Sequence, residues 1–147
     1  MKLFLKRFDE LTTEELYKIL QLRNEVFVVE QNCIYQDADG KDQEAYHLFY
    51  KSDNEIIAYT RIFESGKYFD KASIGRVVVS PSYRKQALGK KIMQESIDFI
   101  HNQLNEPEIE ISAQTYLKKF YNELGFIEKG TEYLEDGIPH IKMIRKK

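Results

Sequence analysis

The chain has 147 residues, 42% of them hydrophobic and 31% charged, and its 22 Lys and Arg against 24 Asp and Glu leave a formal net charge of −2. That length suits one domain, residues 1–147, able to hide roughly 70% of the surface an unfolded chain exposes, and nine Phe with ten Tyr argue against disorder. Near-neutral charge speaks against nucleic-acid binding, the single Cys33 excludes an internal disulfide framework and any multi-Cys zinc site, and no apolar run reaches the 18 or more residues of a membrane helix.

The expected setting is therefore reducing and cytoplasmic, since the apolar stretch after Met1 is too short for a signal peptide. No metal site is expected. Residues 3–9 alternate weakly and suit a first strand. Thr12-Thr13-Glu14-Glu15 offers a capping box, and Leu16, Ile19, Leu20, Arg23, Val26 and Phe27 recur at helical spacing, predicting a helix over 13–28. Asp37-Ala38-Asp39-Gly40-Lys41-Asp42 reads as a loop.

Runs 45–50 and 55–63 flank Ser52-Asp53-Asn54 as a hairpin, and a second hairpin through Gly66 leads to a strand over 72–79. That strand ends in Val77-Val78-Val79, apolar on both faces as in a buried central strand, and Pro81 stops it. A helix over about 88–103, a strand over 108–113, a helix over 115–124 closed by Gly125, and strands over about 126–134 and 138–145 around Asp136-Gly137 complete the chain. The order β-α-βββ-α-β-α-ββ predicts an α/β (α+β) mixed sheet, neither doubly wound nor a barrel.

The segment Val77-Val78-Val79-Ser80-Pro81-Ser82-Tyr83-Arg84-Lys85-Gln86-Ala87-Leu88-Gly89-Lys90-Lys91 carries the strongest chemical signal. A buried strand ends, and a helix begins at small residues, where free backbone N–H groups and the helix dipole favour an anion. Arg84, Lys85, Lys90 and Lys91 add four cations within eight residues and no acid. A phosphate site and a solvated basic turn both fit this pattern. It is not a P-loop, because Gly89-Lys90 lacks both the earlier Gly and the following Ser or Thr.

Arg84-x-x-Ala87-x-Gly89 resembles the Gln/Arg-x-x-Gly-x-Gly/Ala signature of the GNAT N-acetyltransferase superfamily, and Gln114-x-x-Leu117-x-x-x-Tyr121-x-x-x-Gly125-Phe126 resembles its second motif. Leu22-Arg23-x-Glu25-Val26-Phe27-Val28-Val29-Glu30-Gln31, Asp37-x-Asp39-Gly40-x-Asp42 and Asp136-Gly137-Ile138-Pro139-His140 are similar to the ElaA-like branch. The resemblance spans nearly the whole chain. It implies a mostly antiparallel sheet ordered 1-2-3-4-5-7-6 with flanking helices, in which parallel strands four and five splay around the pantetheine arm of acetyl-coenzyme A. Ala87 stands where Gly is commoner, and the match expects a negative φ there.

The resemblance assigns the cofactor's diphosphate to Arg84, Lys85, Gln86, Ala87, Leu88, Gly89 and Lys90. Its pantetheine falls to the main chain of Val77 and Val79 and to Gln114, in the place of a usual Asn, with a backbone N–H near Val78 on the thioester oxygen. Tyr121 matches the tyrosine that protonates the departing thiolate. His140 is the leading candidate for the base, imidazole being the side chain suited to proton abstraction near neutral pH; Glu30, Glu110 and a water chain are alternatives, and His47 lies farther away. The acidic loop around Lys41 reads either as a collector of cationic amines or as a solvated loop, and Cys33 as a small buried thiol. Acetyl transfer to a small-molecule or peptide amine is the implied function. A non-catalytic acyl-coenzyme A sensor or protein-docking module is the alternative, oligonucleotide binding through Arg84–Lys91 a third reading, and homodimerisation stays open.

Overall fold

The computed structural model describes residues 1–147 throughout. Ten elements follow in chain order: β1 (Lys2–Arg7), α1 (Thr13–Arg23), β2 (Tyr46–Ser52), β3 (Glu55–Phe63), β4 (Ala72–Val79), α2 (Leu88–Asp98), β5 (Glu108–Gln114), α3 (Lys118–Glu123), β6 (Ile127–Glu135) and β7 (Ile138–Lys146). The strands form one seven-stranded sheet in the order β1-β2-β3-β4-β5-β7-β6, as the family resemblance implies. Every pairing is antiparallel except β4 with β5.

Alternation sorts the side chains to two cores. On one face, α2 and the α3 region bring Leu88, Ile92, Met93, Ile97 and Tyr121 against Ile74, Ile111, Ala113 and Met143. On the other, Ile19 and Leu22 of α1 and the following Val26 pack on Phe49, Tyr59 and Val78. Strand β5 shows the division most plainly: Ile109, Ile111 and Ala113 are buried, while Glu110, Ser112 and Gln114 turn to the α1 side.

The capping box of α1 forms as expected: Thr12 Oγ1 accepts the Glu15 N–H at 3.0 Å, and Glu15 accepts the Thr12 N–H at 2.9 Å. The helix does not run regularly to 28. It gives way after Arg23 to a π-helical segment, Asn24–Glu30, marked by the Gln31 N–H donating to the Val26 carbonyl at 3.1 Å. Such wider turns rotate the following residues off the α-helical stripe, and Phe27, Glu30 and Gln31 thereby come to line the cleft described below. The helix expected over 88–103 changes in the same way after Asp98.

Arg23, the one polar member of the α1 apolar stripe, is fully buried. Its Nε donates to Asp37 at 2.8 Å and its Nη1 to Asp42 at 2.9 Å. Arg61 of β3 donates to Asp42 and to both oxygens of Asp39, each at 2.9 Å. This corrects both readings of the acidic loop: Asp37 and Asp42 are buried ion-pair partners, neither solvated nor free to attract an amine. Burial pushes the Asp39 carboxyl up, but bonds from Arg61 and the Lys41 N–H outweigh it and hold the group at about 2. Removing one member of such a cluster strands its partners. Arg23→Met is expected to cost about 3 kcal/mol of stability, read as a lower midpoint in urea unfolding.

Candidate active site

Strands β4 and β5 pair only through Ala72 with Ile109 and Ser73 with Glu110. Beyond those two residues they part, while β3 still holds the outer edge of β4 and β7 that of β5. The opening is widened by a bulge. Tyr59 pairs with Val78 and Arg61 with Gly75, so one β3 residue, Thr60, opposes two on β4, Arg76 and Val77. Arg76 takes a left-handed φ of +50° there. Its guanidinium lies 2.9 Å from the Asp37 carboxylate and donates to the Asp37 carbonyl at 3.0 Å.

The result is a cleft of about 780 Å³ that passes through the sheet. Val77, Val78 and Val79 line it with the unpaired edge of β4, and Gln114 faces them from β5. At one end lie Arg84, Ala87, Gly89 and Lys90. Lys85 and Gln86 are exposed and do not line the cleft, and the Leu88 side chain is core; only their main chains belong to this turn. Helix α2 begins at Leu88 with no side-chain cap, so the N–H groups of its first turn remain available. An added Cβ on Gly89 would meet Phe120 and Val79 at 3.7 Å, ordinary contact, so nothing in the fold itself demands glycine there.

Ala87 corrects an expectation. Its φ is +57° and ψ +25°, squarely left-handed. The turn from the 3-10 segment Pro81–Gln86 into α2 takes a conformation that favours glycine, and this chain holds it with an alanine. Arg84 is also engaged: it grips Glu30 through both Nη atoms, the Nη1 bond being 2.7 Å. That grip, first among the causes, keeps the Glu30 carboxyl below its ordinary range and makes it a poor proton acceptor.

Tyr121 and His140 line the cleft from opposite faces of the sheet. Tyr121 packs edge-on against Phe120 and Phe126 in the α2–α3 core, and burial, with Tyr116 adding, pushes its phenol well above the ordinary value. His140 lies on the α1 side of β7, paired with Gln114 of β5. Its Nδ1–H donates to the Ile138 carbonyl at 2.7 Å, which leaves Nε2 as the basic nitrogen, 3.4 Å from Glu135 Oε2. Glu135 accepts from Ser112 Oγ at 3.1 Å, and Ser112 also bonds the Tyr133 hydroxyl.

Sequence reasoning missed Ser112, Tyr133 and Glu135, which only the crossed order β5-β7-β6 brings together. The polar alternation Glu110-Ser112-Gln114 was the available clue. His47 stays remote: buried, it accepts from Tyr59 Oη at 2.6 Å and donates to the Asp42 carbonyl at 2.9 Å, and burial lowers its pKa. Cys33 is half-exposed rather than buried, lines the cleft, and donates weakly to the Asp136 carbonyl at 3.4 Å.

The left-handed alanine yields a stability prediction. Relief of about 1–2 kcal/mol of backbone strain, less about 0.4–1 kcal/mol for a more flexible unfolded chain, should make Ala87→Gly more stable by about 0.5–1 kcal/mol in urea denaturation.

A family model described as an acetyltransferase (GNAT) domain matches residues 9–147. The ElaA protein of Escherichia coli is 40% identical over 140 residues, covering 94% of this chain and 92% of that protein; its crystal structure superposes with a TM-score of 0.90 over 99% of this chain and 100% of that one. An acyl-CoA N-acyltransferase from Pseudomonas aeruginosa superposes with a TM-score of 0.92 at 37% identity, covering 99% of both chains. At the level of fold alone, the PaiA N-acetyltransferase of Thermoplasma acidophilum, solved with coenzyme A, matches at a TM-score of 0.71 and 16% identity over the whole of both chains. The splayed β4–β5 pair, the uncapped start of α2 and these likenesses agree: the chain belongs to the GNAT acyltransferase family, among the relatives of ElaA.

Proposed function

We propose that this chain is an acetyl-coenzyme A-dependent N-acetyltransferase, moving the acetyl group to a primary amine by direct attack in a ternary complex. One observation carries the reading: the cleft runs through the sheet, with the uncapped start of α2 and Tyr121 on the α2–α3 side and His140 on the α1 side. A donor and an acceptor can enter from opposite faces and meet between β4 and β5.

The residues present fit the cofactor. The open N–H groups at the start of α2, with Lys90 and with Arg84 once it exchanges Glu30 for the ligand, suit a diphosphate. The free edge of β4 at Val77 and Val79 suits the two amides of pantetheine, which pair as an added strand would, and Gln114 supplies a further amide. A main-chain N–H near Val78 polarises the thioester oxygen. Acetyl-coenzyme A supplies an activated thioester carbonyl. His140 Nε2 takes a proton from the attacking amine, and Glu135 stabilises the imidazolium. Tyr121, kept protonated by burial, donates to the sulfur as the C–S bond breaks.

Thiol release from acetyl-coenzyme A with a panel of primary amines tests the assignment; cofactor binding without release at saturating acceptor would favour a sensor instead. Tyr121→Phe should lower kcat roughly ten- to a thousandfold with acetyl-coenzyme A affinity little changed, and unaltered turnover would remove Tyr121 from the reaction. Gly89→Ala separates ligand from fold: denaturation should show a gain of about 0.5–1 kcal/mol, while calorimetry shows acetyl-coenzyme A binding roughly tenfold weaker.

A further inference from the structure

We propose that the acceptor half of the cleft is shaped for an arylalkylamine: a primary amine on a short chain from an aromatic ring that carries a hydroxyl at its far end. The inference rests on the acyl-transfer reading and names its acceptor.

The walls on the α1 side are aromatic. Tyr68, in the loop between β3 and β4, stacks on Phe63 at 5.0 Å and meets Phe69 edge-on at 4.8 Å, yet stays 40% exposed. On β7 the His140 ring lines the cleft, stacked with Tyr133 of β6 at 6.2 Å and 23°. A flat ring covers such faces far better than an alkyl chain.

The polar groups give the ligand a direction. Glu135 is half-exposed beside His140 Nε2, with only Ser112 and His140 as partners. The nearby guanidiniums of Arg61 and Arg76 are already matched by Asp37, Asp39 and Asp42. An arriving ammonium is thus drawn to Glu135, next to the base. At the other end Ser73 lines the cleft, is 2% exposed, and its hydroxyl has no hydrogen-bond partner. Buried hydroxyls are rarely left so. Ser73 pairs with Glu110 and His140 with Gln114, four residues farther along β5 and so about 13 Å apart in that direction. A molecule that meets both must be elongated, with an amine at one end and a hydroxyl at the other.

The test uses the full chain with acetyl-coenzyme A and four acceptors: tyramine, phenethylamine, n-butylamine and a lysine-containing peptide. Thiol release gives kcat/KM, and calorimetry on coenzyme A-loaded protein measures binding of the same four without turnover. Phenethylamine should exceed n-butylamine by roughly tenfold or more, and tyramine should exceed phenethylamine by roughly two- to tenfold. Ser73→Ala should bring the tyramine-to-phenethylamine ratio to about one, and Tyr68→Ala, in an exposed loop, should shrink the advantage of phenethylamine over n-butylamine. Turnover with n-butylamine or the peptide ahead overturns this acceptor class while acyl transfer stands. Binding in the expected order without thiol release upholds the subsite and overturns the catalytic reading. Neither binding nor release with any of the four overturns both.

Discussion

The opening between β4 and β5 depends on the ion-pair cluster that replaces their missing ladder. A strand released from one neighbour loses hydrogen bonds along that edge, and its backbone groups need another source of order. Here the bulge at Arg76 is tied to the loop after α1 through Asp37, and the same loop is tied to α1 through Arg23 and to β3 through Arg61. Three guanidiniums face three carboxylates, Asp37, Asp39 and Asp42, so the cluster is neutral as a set. Buried pairs of this kind add little net stability compared with apolar packing, but their directional bonds admit few alternative geometries. The left-handed φ at Arg76 is held by Asp37 of that loop, which Arg23 and Arg61 in turn tie to α1 and β3, and the free edge of β4 is held with it.

That rigidity matters because the proposed chemistry is divided between the two faces of the sheet. Tyr121 belongs to the core under α2 and α3, and His140 to the surface under α1. No single helix or loop could carry both. The gap between β4 and β5 brings them to one cleft, and the separation suits their tasks: a buried phenol that stays protonated on the side of the departing sulfur, and an imidazole beside a half-exposed carboxylate where an ammonium arrives. Glu30, a rival for the base, is occupied by Arg84 and so links the end of the π-helical segment to the turn before α2.

Local chemistry made most elements legible in the sequence. The Thr12 capping box, the Asp136-Gly137 turn and the Gly125 stop sit where their backbone requirements put them. The two long helices were read too far because apolar spacing continues through Val26 and Ile100 even though the hydrogen-bond pattern widens to π; periodicity reports burial, not the turn that delivers it. The site was legible where it is contiguous, from Val77 to Lys90, and opaque where it is assembled across strands. Nothing near Asp37 in the chain announces that its partners are Arg23 and Arg76, and an acidic stretch reads as solvated until three distant arginines are folded onto it.

Ala87 and Gly89 show how fold and ligand make different demands on one turn. The left-handed residue is 87, where a glycine would relieve strain, yet the chain places alanine there. The ordinary helical residue is 89, where alanine would fit against Phe120 and Val79 and strengthen the helix, yet the chain places glycine. Folding stability alone would reverse the two. The arrangement makes sense if the space above Gly89 is reserved for something that binds the main chain closely. The cost of a strained alanine, about 1–2 kcal/mol, is small beside the core that supports the turn, whereas a methyl group over the first N–H groups of α2 would stand between those donors and an anion.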